Sequence, residues 1–299
     1  MVRRMIDCVL KQTYTEFEYI IIDNGSTDNT AEILEDYQRK DARIRIIRSY
    51  EPLTIGAARN IGVRQAMGDY VTFVDDDDSL SPEYLQYLFG LIKEFDAQIA
   101  IAGTEEERDG MIRPQCIFPE RECISGEQAV YELLQRRRIR AGTAAKMILR
   151  IIAERYPFPE DCCHEDIYVT YKLLGEAERV AMGGVAIYRF FLHGGNVSFF
   201  TSNKNLWTGD KLREYIAAFR ERESYIGKRF PNLRDYVEYS TFSYEISMCR
   251  QLAEVLPSNA EEILREMHQD IRVNLQRILK YPFLSEDEKR YLTKFERKY

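Results

Sequence analysis

Four consecutive aspartates, Asp75 to Asp78, close the apolar stretch YVTFV. Neighbouring like charges repel, and the repulsion grows as water is excluded. A hard divalent cation would offset it, because such ions take oxygen ligands. Asp23 ends a second apolar run, EYIIID. In open parallel sheets ligands bind outside the carboxyl ends of the strands, where Asp23 and Asp75 would both fall. A solvated acidic turn is the plainer reading of such a run. An EF-hand is excluded, because a loop starting at Asp75 would need Gly at position 80 and Glu at 86; the chain has Leu80 and Gln86.

The elements that must hold these residues alternate in type. Met5, Ile6, Val9 and Leu10 have helical spacing. EYIIID reads as a buried strand, STDNTAEILEDYQRK as a helix with Ile33, Leu34 and Tyr37 on one face, and RIRII as a strand. GAARNIGVRQAMG reads as a helix closed by Gly68, followed by the strand YVTFV. Ser81-Pro82-Glu83 has the form of a helix start, with Ser81 as N-cap, and AQIAIAG is a further strand. This alternation predicts a mostly parallel sheet with helices on both faces.

From about residue 104 the pattern loosens into a polar stretch with Pro114 and Pro119. It resumes at a capping box, Ser125 to Gln128, and runs into the turn-rich RYPFPEDCCHED. Beyond about residue 203 only helices are signalled, with Pro257 and Pro282 as punctuation and a helix start at Ser285–Glu288. Ile263, Leu264, Met267, Ile271, Leu275 and Ile278 form one apolar stripe there, to be covered by packing against the catalytic domain or by a membrane or partner chain.

The 299-residue chain is long enough for a large core. Its net charge of −7 leaves no basic field for nucleic acid. The six cysteines form no CxxC pair and read as reduced thiols of a cytoplasmic protein. No apolar run approaches the length of a membrane span, and no signal peptide is visible.

Three blocks occur in order: IIIDNGSTDNT, GAARNIGVRQAMGDYVTFVDDDD and HEDIYVTYKLL. Together they resemble the family-2 glycosyltransferases of GT-A fold, over about residues 2–200. The middle block is the most specific, because it combines the Gly, ARN, A-x-G-x-Y and D-x-D-D elements. The resemblance implies an inverting transfer from a nucleotide-diphosphate sugar to a hydroxyl of a glycan or lipid-linked acceptor. The donor set it implies is Asp23, Asn24, Gly25, Ser26, Arg59, Asp75 and Asp76. Asp23 would contact the base and Asp75 the ribose. Asp77, with Asp75 and His193, would hold Mg²⁺ or Mn²⁺, and Asp78 is the trailing acidic residue. Asp166 of the Glu165-Asp166 pair would be the general base. An acidic pair opening a helix is also what the helix dipole favours on structural grounds alone. YRFFLHGGNVSFF resembles the family's closing segment, with Gly194-Gly195 giving a loop freedom to close. His164 is expected as an exposed loop residue and Lys146 as part of a structural strand. Arg136, Arg137, Arg138 and Arg140 would touch an anionic acceptor or form a solvated helix face.

The implied organisation is a nucleotide-sugar-binding half over 1–110, an acceptor and base half over 111–202, and a helical region over 203–299. Two features depart from the family. Asn24 replaces the second Asp of its DDGSTD motif. Met1 falls where the first helix should begin, so the family's first strand and its Pro-x-Tyr-Asn-like turn are absent. A start codon placed too late, or a truncated gene, would explain that. Losing a central strand leaves its two neighbours with unpaired ladder groups. A truncated, non-catalytic remnant that binds nucleotide or glycan is therefore the second reading. A nucleotidyltransferase would share the sheet and metal logic, but neither a GxGxxG motif nor a P-loop is present. The tail KRYLTKFERKY mixes Lys289, Arg290, Lys294, Arg297 and Lys298 with Tyr291, Leu292, Phe295 and Tyr299, which suits peripheral contact with an anionic membrane, diluted by Glu286, Asp287, Glu288 and Glu296.

Overall fold

The computed structural model describes residues 2–194, 203–253, 255 and 259–298. It divides into two compact units, Met1–His193 and Gly194–Tyr299. Gly195 and Pro257 lie outside the described residues, as do the side chains of Phe295, Glu296, Arg297, Lys298 and Tyr299.

The first unit opens with α1 (Val2–Leu10), β1 (Tyr19–Asn24), α2 (Thr30–Lys40), β2 (Ile44–Ser49) and α3 (Ile55–Gln65). Then come β3 (Tyr70–Thr72), β4 (Ser79–Leu80), α4 (Tyr84–Phe95), β5 (Ile99–Arg108), β6 (Met111–Cys116) and β7 (Phe118–Ser125). It ends with α5 (Gly126–Gln135), β8 (Lys146–Leu149), α6 (Arg150–Arg155), α7 (Glu165–Glu176) and β9 (Arg179–Phe191). β1 and β2 pair in parallel as a two-stranded sheet. The larger sheet has the order β3-β8-β5-β9-β4, with β6 added to β5 and β7 to β9.

The sheet is more mixed than the alternating pattern predicts. Besides β1–β2, only β5–β9 is parallel; β8 runs antiparallel to both β3 and β5, and β4 antiparallel to β9. The reason for one reversal is local. Asp109 and Gly110, at φ 53° and 77°, make the tight turn that a β5–β6 hairpin needs. Each of β1 and β3 has one edge without a strand partner among the described residues. Tyr19 to Ile22 of β1 are only part-buried, although they are the most apolar run of the first forty residues.

Two helix ends differ from expectation, and in both a distant side chain decides. The helix after the aspartates begins at Tyr84, and Ser81 is not its N-cap. Gln12 caps it instead. Its Oε1 accepts from the Leu85 N–H at 2.9 Å and its Nε2 donates to the Ser81 carbonyl at 2.8 Å. α3 ends at Gln65, before Gly68. The Glu18 carboxylate accepts from the Met67 and Gly68 N–H groups there, at 2.5 and 3.1 Å. The expected cap at Ser125 is present, with its hydroxyl accepting from the Gln128 N–H at 3.2 Å. The core of the larger sheet is the α4 face Tyr84, Leu85, Leu88, Leu91 and Ile92, packed on Ala100, Ala102, Met147, Ala181 and Tyr188. Gly184 of β9 sits at φ 95°, where an added Cβ would lie 2.2 Å from the Tyr87 hydroxyl oxygen, so only glycine lets the strand pass.

The second unit contains α8 (Gly209–Arg229), α9 (Arg234–Leu252), α10 (Glu261–Ile278) and α11 (Glu286–Lys298). The apolar stripe of α10 is buried throughout, and α10 packs on α8 and α9 of the same unit. Its cover therefore comes from within the helical unit. The Ser285 start forms a reciprocal box, with the Ser285 N–H donating to Glu288 at 2.8 Å and the Glu288 N–H to the Ser285 hydroxyl at 3.3 Å. Lys289 pairs with Glu286 and Arg290 with Asp287, so part of the tail's basic charge is met on its own helix.

Glu245 lies at the centre of this unit with no exposed surface. Burial pushes its carboxyl from the ordinary 4.5 to about 8; Asp270 adds to the shift and Arg220 opposes it. A raised carboxyl stabilises the fold fully below the unfolded-state value and loses that contribution as pH rises through the folded one. Stability should therefore fall between about pH 4.5 and 8, and Glu245→Gln should flatten the fall. Urea unfolding of both chains at pH 5 and pH 8 checks this. An equally steep loss in the variant would reject it.

Candidate active site

The acidic run sits between β3 and β4, at the carboxyl end of β3. Its four side chains have different surroundings. Asp78 is buried, accepting from the Tyr188 hydroxyl at 2.6 Å and the Phe191 N–H at 3.0 Å. Burial pushes its carboxyl up to about 7, against the pull of those two donors. The Tyr188 oxygen in turn accepts from the Asp75 N–H at 3.3 Å. One tyrosine on β9 thus ties both ends of the acidic turn. Arg4 of α1 donates to the carbonyls of Asp77 and Asp78, and its guanidinium lies 4.1 Å from the centre of the Phe191 ring. The Asp77 carboxylate meets His193 Nε2 at 3.1 Å. Asp76 is exposed.

Arg59, on α3, joins the blocks that the sequence separates. It donates to the Glu165 carboxylate and lies 3.5 Å from Asp75. Phe73 and Phe158 flank its guanidinium at 5.8 and 5.7 Å. Glu165 is 4% exposed, and burial pushes its carboxyl up to about 6 against the pull of Arg59. Asp166 is part-exposed; burial raises it, while Arg59 and Lys146 pull it down. Burial likewise lowers buried Lys146 to about 8, and its ammonium donates to the Gly142 carbonyl. An added Cβ on Gly142 would lie 4.0 Å from Asp166 Oδ2, so that carboxylate faces the Gly142 backbone. A raised carboxyl is matched to general-base work near neutral pH.

The residues at the end of β1 form a separate cluster. Asp23 is buried, accepts from the Ser26 N–H at 3.2 Å and has Arg48 at 3.7 Å. Gly25, at φ 73°, gives the turn a left-handed position that favours glycine. The Asn24 amide is engaged with the chain itself: Nδ2 donates to the Leu53 carbonyl at 2.9 Å and Oδ1 accepts from the Leu53 N–H at 2.6 Å. An aspartate has no group to donate to that carbonyl, which gives the departure at position 24 a structural reason.

Two sequence expectations change. His164 is buried and stands just before α7, not exposed on a loop. Arg138 meets Glu122 and Glu132 and lies against Phe118, so its charge is met inside the first unit. Gly195, expected in a closing loop, is outside the described residues. Sequence reading also missed Arg4, Asn60 and Tyr188. Only the N of the ARN block hinted at one of them.

Among the described residues, no three His, Cys, Asp or Glu side chains gather as a metal cluster. A Mg²⁺ ion usually needs only one or two protein carboxylates beside substrate phosphates. With Asp78 committed to Tyr188 and Phe191, the residues suited to such a cation are Asp77, His193 and Asp75.

Residues 1–123 match the model of glycosyl transferase family 2. Over that segment the chain resembles glycosyl transferase family 2, and its fold is GT-A. It is 26% identical over 283 residues to glycosyltransferase GlyA of Streptococcus pneumoniae, covering 92% of this chain and 40% of that protein. GlyG of the same organism is 35% identical over 111 residues, covering 36% of this chain and 37% of GlyG. The chain thus spans well under half the length of these two relatives. Escherichia coli YibD, an uncharacterized glycosyltransferase, is 25% identical across 93% of this chain and 86% of its own. Among solved structures, Staphylococcus aureus TarS 1–349 in complex with UDP-GlcNAc superposes with a TM-score of 0.69 at 19% identity, covering 99% of this chain and 86% of that one. The mannosyltransferase PcManGT of Pyrobaculum calidifontis, with GDP-Man and Mn²⁺, gives 0.58 at 14% identity, covering 99% and 82%.

Arg59 is the cation that faces both Asp75 and Glu165. Arg59→Met should cost about 3 kcal/mol, the scale for breaking a largely buried ion pair. Adding Glu165→Gln should recover part of the loss, because the variant pair leaves no buried charge unmet. Denaturant unfolding of the two single variants and the double variant measures this. Strictly additive losses would contradict it.

Proposed function

We propose that this chain is a metal-dependent, inverting glycosyltransferase. It would move a sugar from a nucleoside-diphosphate donor to a hydroxyl of a glycan or lipid-linked acceptor, in surface polysaccharide or glycolipid synthesis. The observation that carries the reading is the convergence of Arg59 and Asp75, from the middle block, with Glu165, from the last, beside Asp166. The nucleotide-sugar complexes of TarS and PcManGT on the same fold support it.

In this reading the donor base and ribose lie toward Asp23 and Asp75, and the diphosphate toward Asp77 and His193. Mg²⁺ or Mn²⁺, when bound, would neutralise charge on the departing diphosphate. Asp166 takes the acceptor hydroxyl's proton as the new bond to the anomeric carbon forms. The bond from that carbon to the diphosphate breaks, and its electron pair leaves with the nucleotide. Attack on the face opposite the leaving group inverts the centre. Arg59 keeps the carboxyl pair and Asp75 together before substrate arrives.

A non-catalytic remnant that binds nucleotide or glycan is the second reading, and Asn24, committed to the Leu53 backbone in place of an aspartate, favours it. No helix among the described residues is long and apolar enough to cross a membrane.

Two measurements test the reading. Calorimetry should show UDP or GDP binding with Mn²⁺ and its loss in EDTA, because the acidic turn otherwise repels a diphosphate. Equal affinity in both would reject metal-dependent binding. Asp166→Asn should keep that binding yet lower turnover by about a hundredfold or more, the scale of general-base loss. Nucleotide binding by the parent without turnover of any donor would support the remnant.

A further inference from the structure

Helix α3 touches the segment that delivers Glu165 and Asp166 at more points than Arg59. Asn60 is 4% exposed, and its amide is fully engaged. Nδ2 donates to the Phe158 carbonyl and to Glu160 Oε1, both at 2.8 Å. Oδ1 accepts from the Phe158 N–H, also at 2.8 Å. One side chain therefore satisfies both backbone groups of a buried residue, as a neighbouring strand would. Gly56 lies four residues earlier, on the same face of the helix. A Cβ there would stand 2.1 Å from the Pro159 carbonyl oxygen and 3.4 Å from the Glu165 Cβ. Thr54, the N-cap of α3, donates its hydroxyl to the Glu160 carbonyl at 2.9 Å while accepting from the Ala57 N–H at 3.2 Å. Phe158 is buried edge-on to Phe73, the residue just beyond β3.

We propose that Asn60 is a positioning residue: with Gly56 and Thr54 it keys the 156–164 segment to α3 and so sets where Glu165 and Asp166 stand relative to Arg59 and Asp75. The segment has few regular backbone bonds of its own, so its height above the site is fixed from outside. The glycine permits backbone contact, and the asparagine converts contact into register. An alanine at position 56 would push the Pro159 carbonyl away. A residue at 60 that cannot both donate and accept would leave Phe158 backbone groups buried and unmet. Because the Arg59 guanidinium is one residue along the same helix, the loop and the ion pair move as one piece. This proposal rests on the reading of Asp166 as the base.

The test compares the parent with Asn60→Ala and with Asn60→Asp, which keeps the acceptor and loses the donors. Three quantities are measured: amide hydrogen exchange at Phe158, Kd for UDP with Mn²⁺, and kcat and KM for a nucleotide sugar that the parent turns over, with hydrolysis to nucleoside diphosphate and free sugar counted as turnover. The expected result is exchange at Phe158 faster by about tenfold or more, the scale of losing one or two hydrogen bonds. Exchange in β5, Kd and donor KM should stay within about twofold, and kcat should fall at least tenfold. Unchanged exchange at Phe158 overturns the clamp. Faster exchange with unchanged kcat overturns the positioning role. If Asp166→Asn turns over like the parent, the base reading fails; the clamp is then judged on Phe158 exchange, where an unmoved rate overturns it and a faster rate supports it. A Kd that weakens in step with kcat would assign Asn60 to donor binding and overturn positioning.

Discussion

Arg59 stands between carboxylates from two parts of the chain, Asp75 and the Glu165-Asp166 pair. Asp75, Glu165 and Asp166 arrive from distant parts of the chain, and two of the three are held above their ordinary range by burial. Glu165 has little water to screen it, so the guanidinium offsets the cost of its burial while reaching Asp75 at the solvent side. Its planar fork suits this role, because it can face two carboxylates from one position. The aromatic rings of Phe73 and Phe158 on either side limit its freedom to leave.

Around this centre, loops are fixed by side chains that imitate backbone. Asn24 pairs with both polar groups of Leu53, and Asn60 does the same for Phe158. Gln12 caps α4, and Glu18 receives the N–H groups beyond α3. Each is a long-range substitute for a local turn or cap. The acidic turn is handled the same way: Tyr188 and the Phe191 N–H take up Asp78, while Asp75 meets Arg59 and Asp77 meets His193.

Much of the fold was legible because periodicity is local. The helices at Met5–Leu10, Ile33–Tyr37 and Ile263–Ile278, and the strands EYIIID and RIRII, follow from spacing alone. The capping residues Ser125 and Ser285 could be read in the same way. Ser81 could not, since Gln12, which replaces it, is 69 residues from Ser81. Strand direction was also hidden. The order β3-β8-β5 depends on where a later strand inserts, and no window of residues contains that. The Asp109-Gly110 turn was a readable hairpin signal that the sequence reading passed over. Of the site, the acidic turn, Arg59 and the Glu165-Asp166 pair were visible as types in order. That Asn24 serves Leu53, that His164 is buried and that Asn60 binds the Phe158 backbone needed three dimensions.

The central claim is that these groups form one site for a single displacement at an anomeric carbon. Proton NMR of the first-formed product, from a panel of α-linked nucleotide sugars with Mn²⁺, tests it most directly. The account predicts a β-configured product, which appears before any mutarotation. A first product that keeps the α configuration would contradict the role given to Asp166.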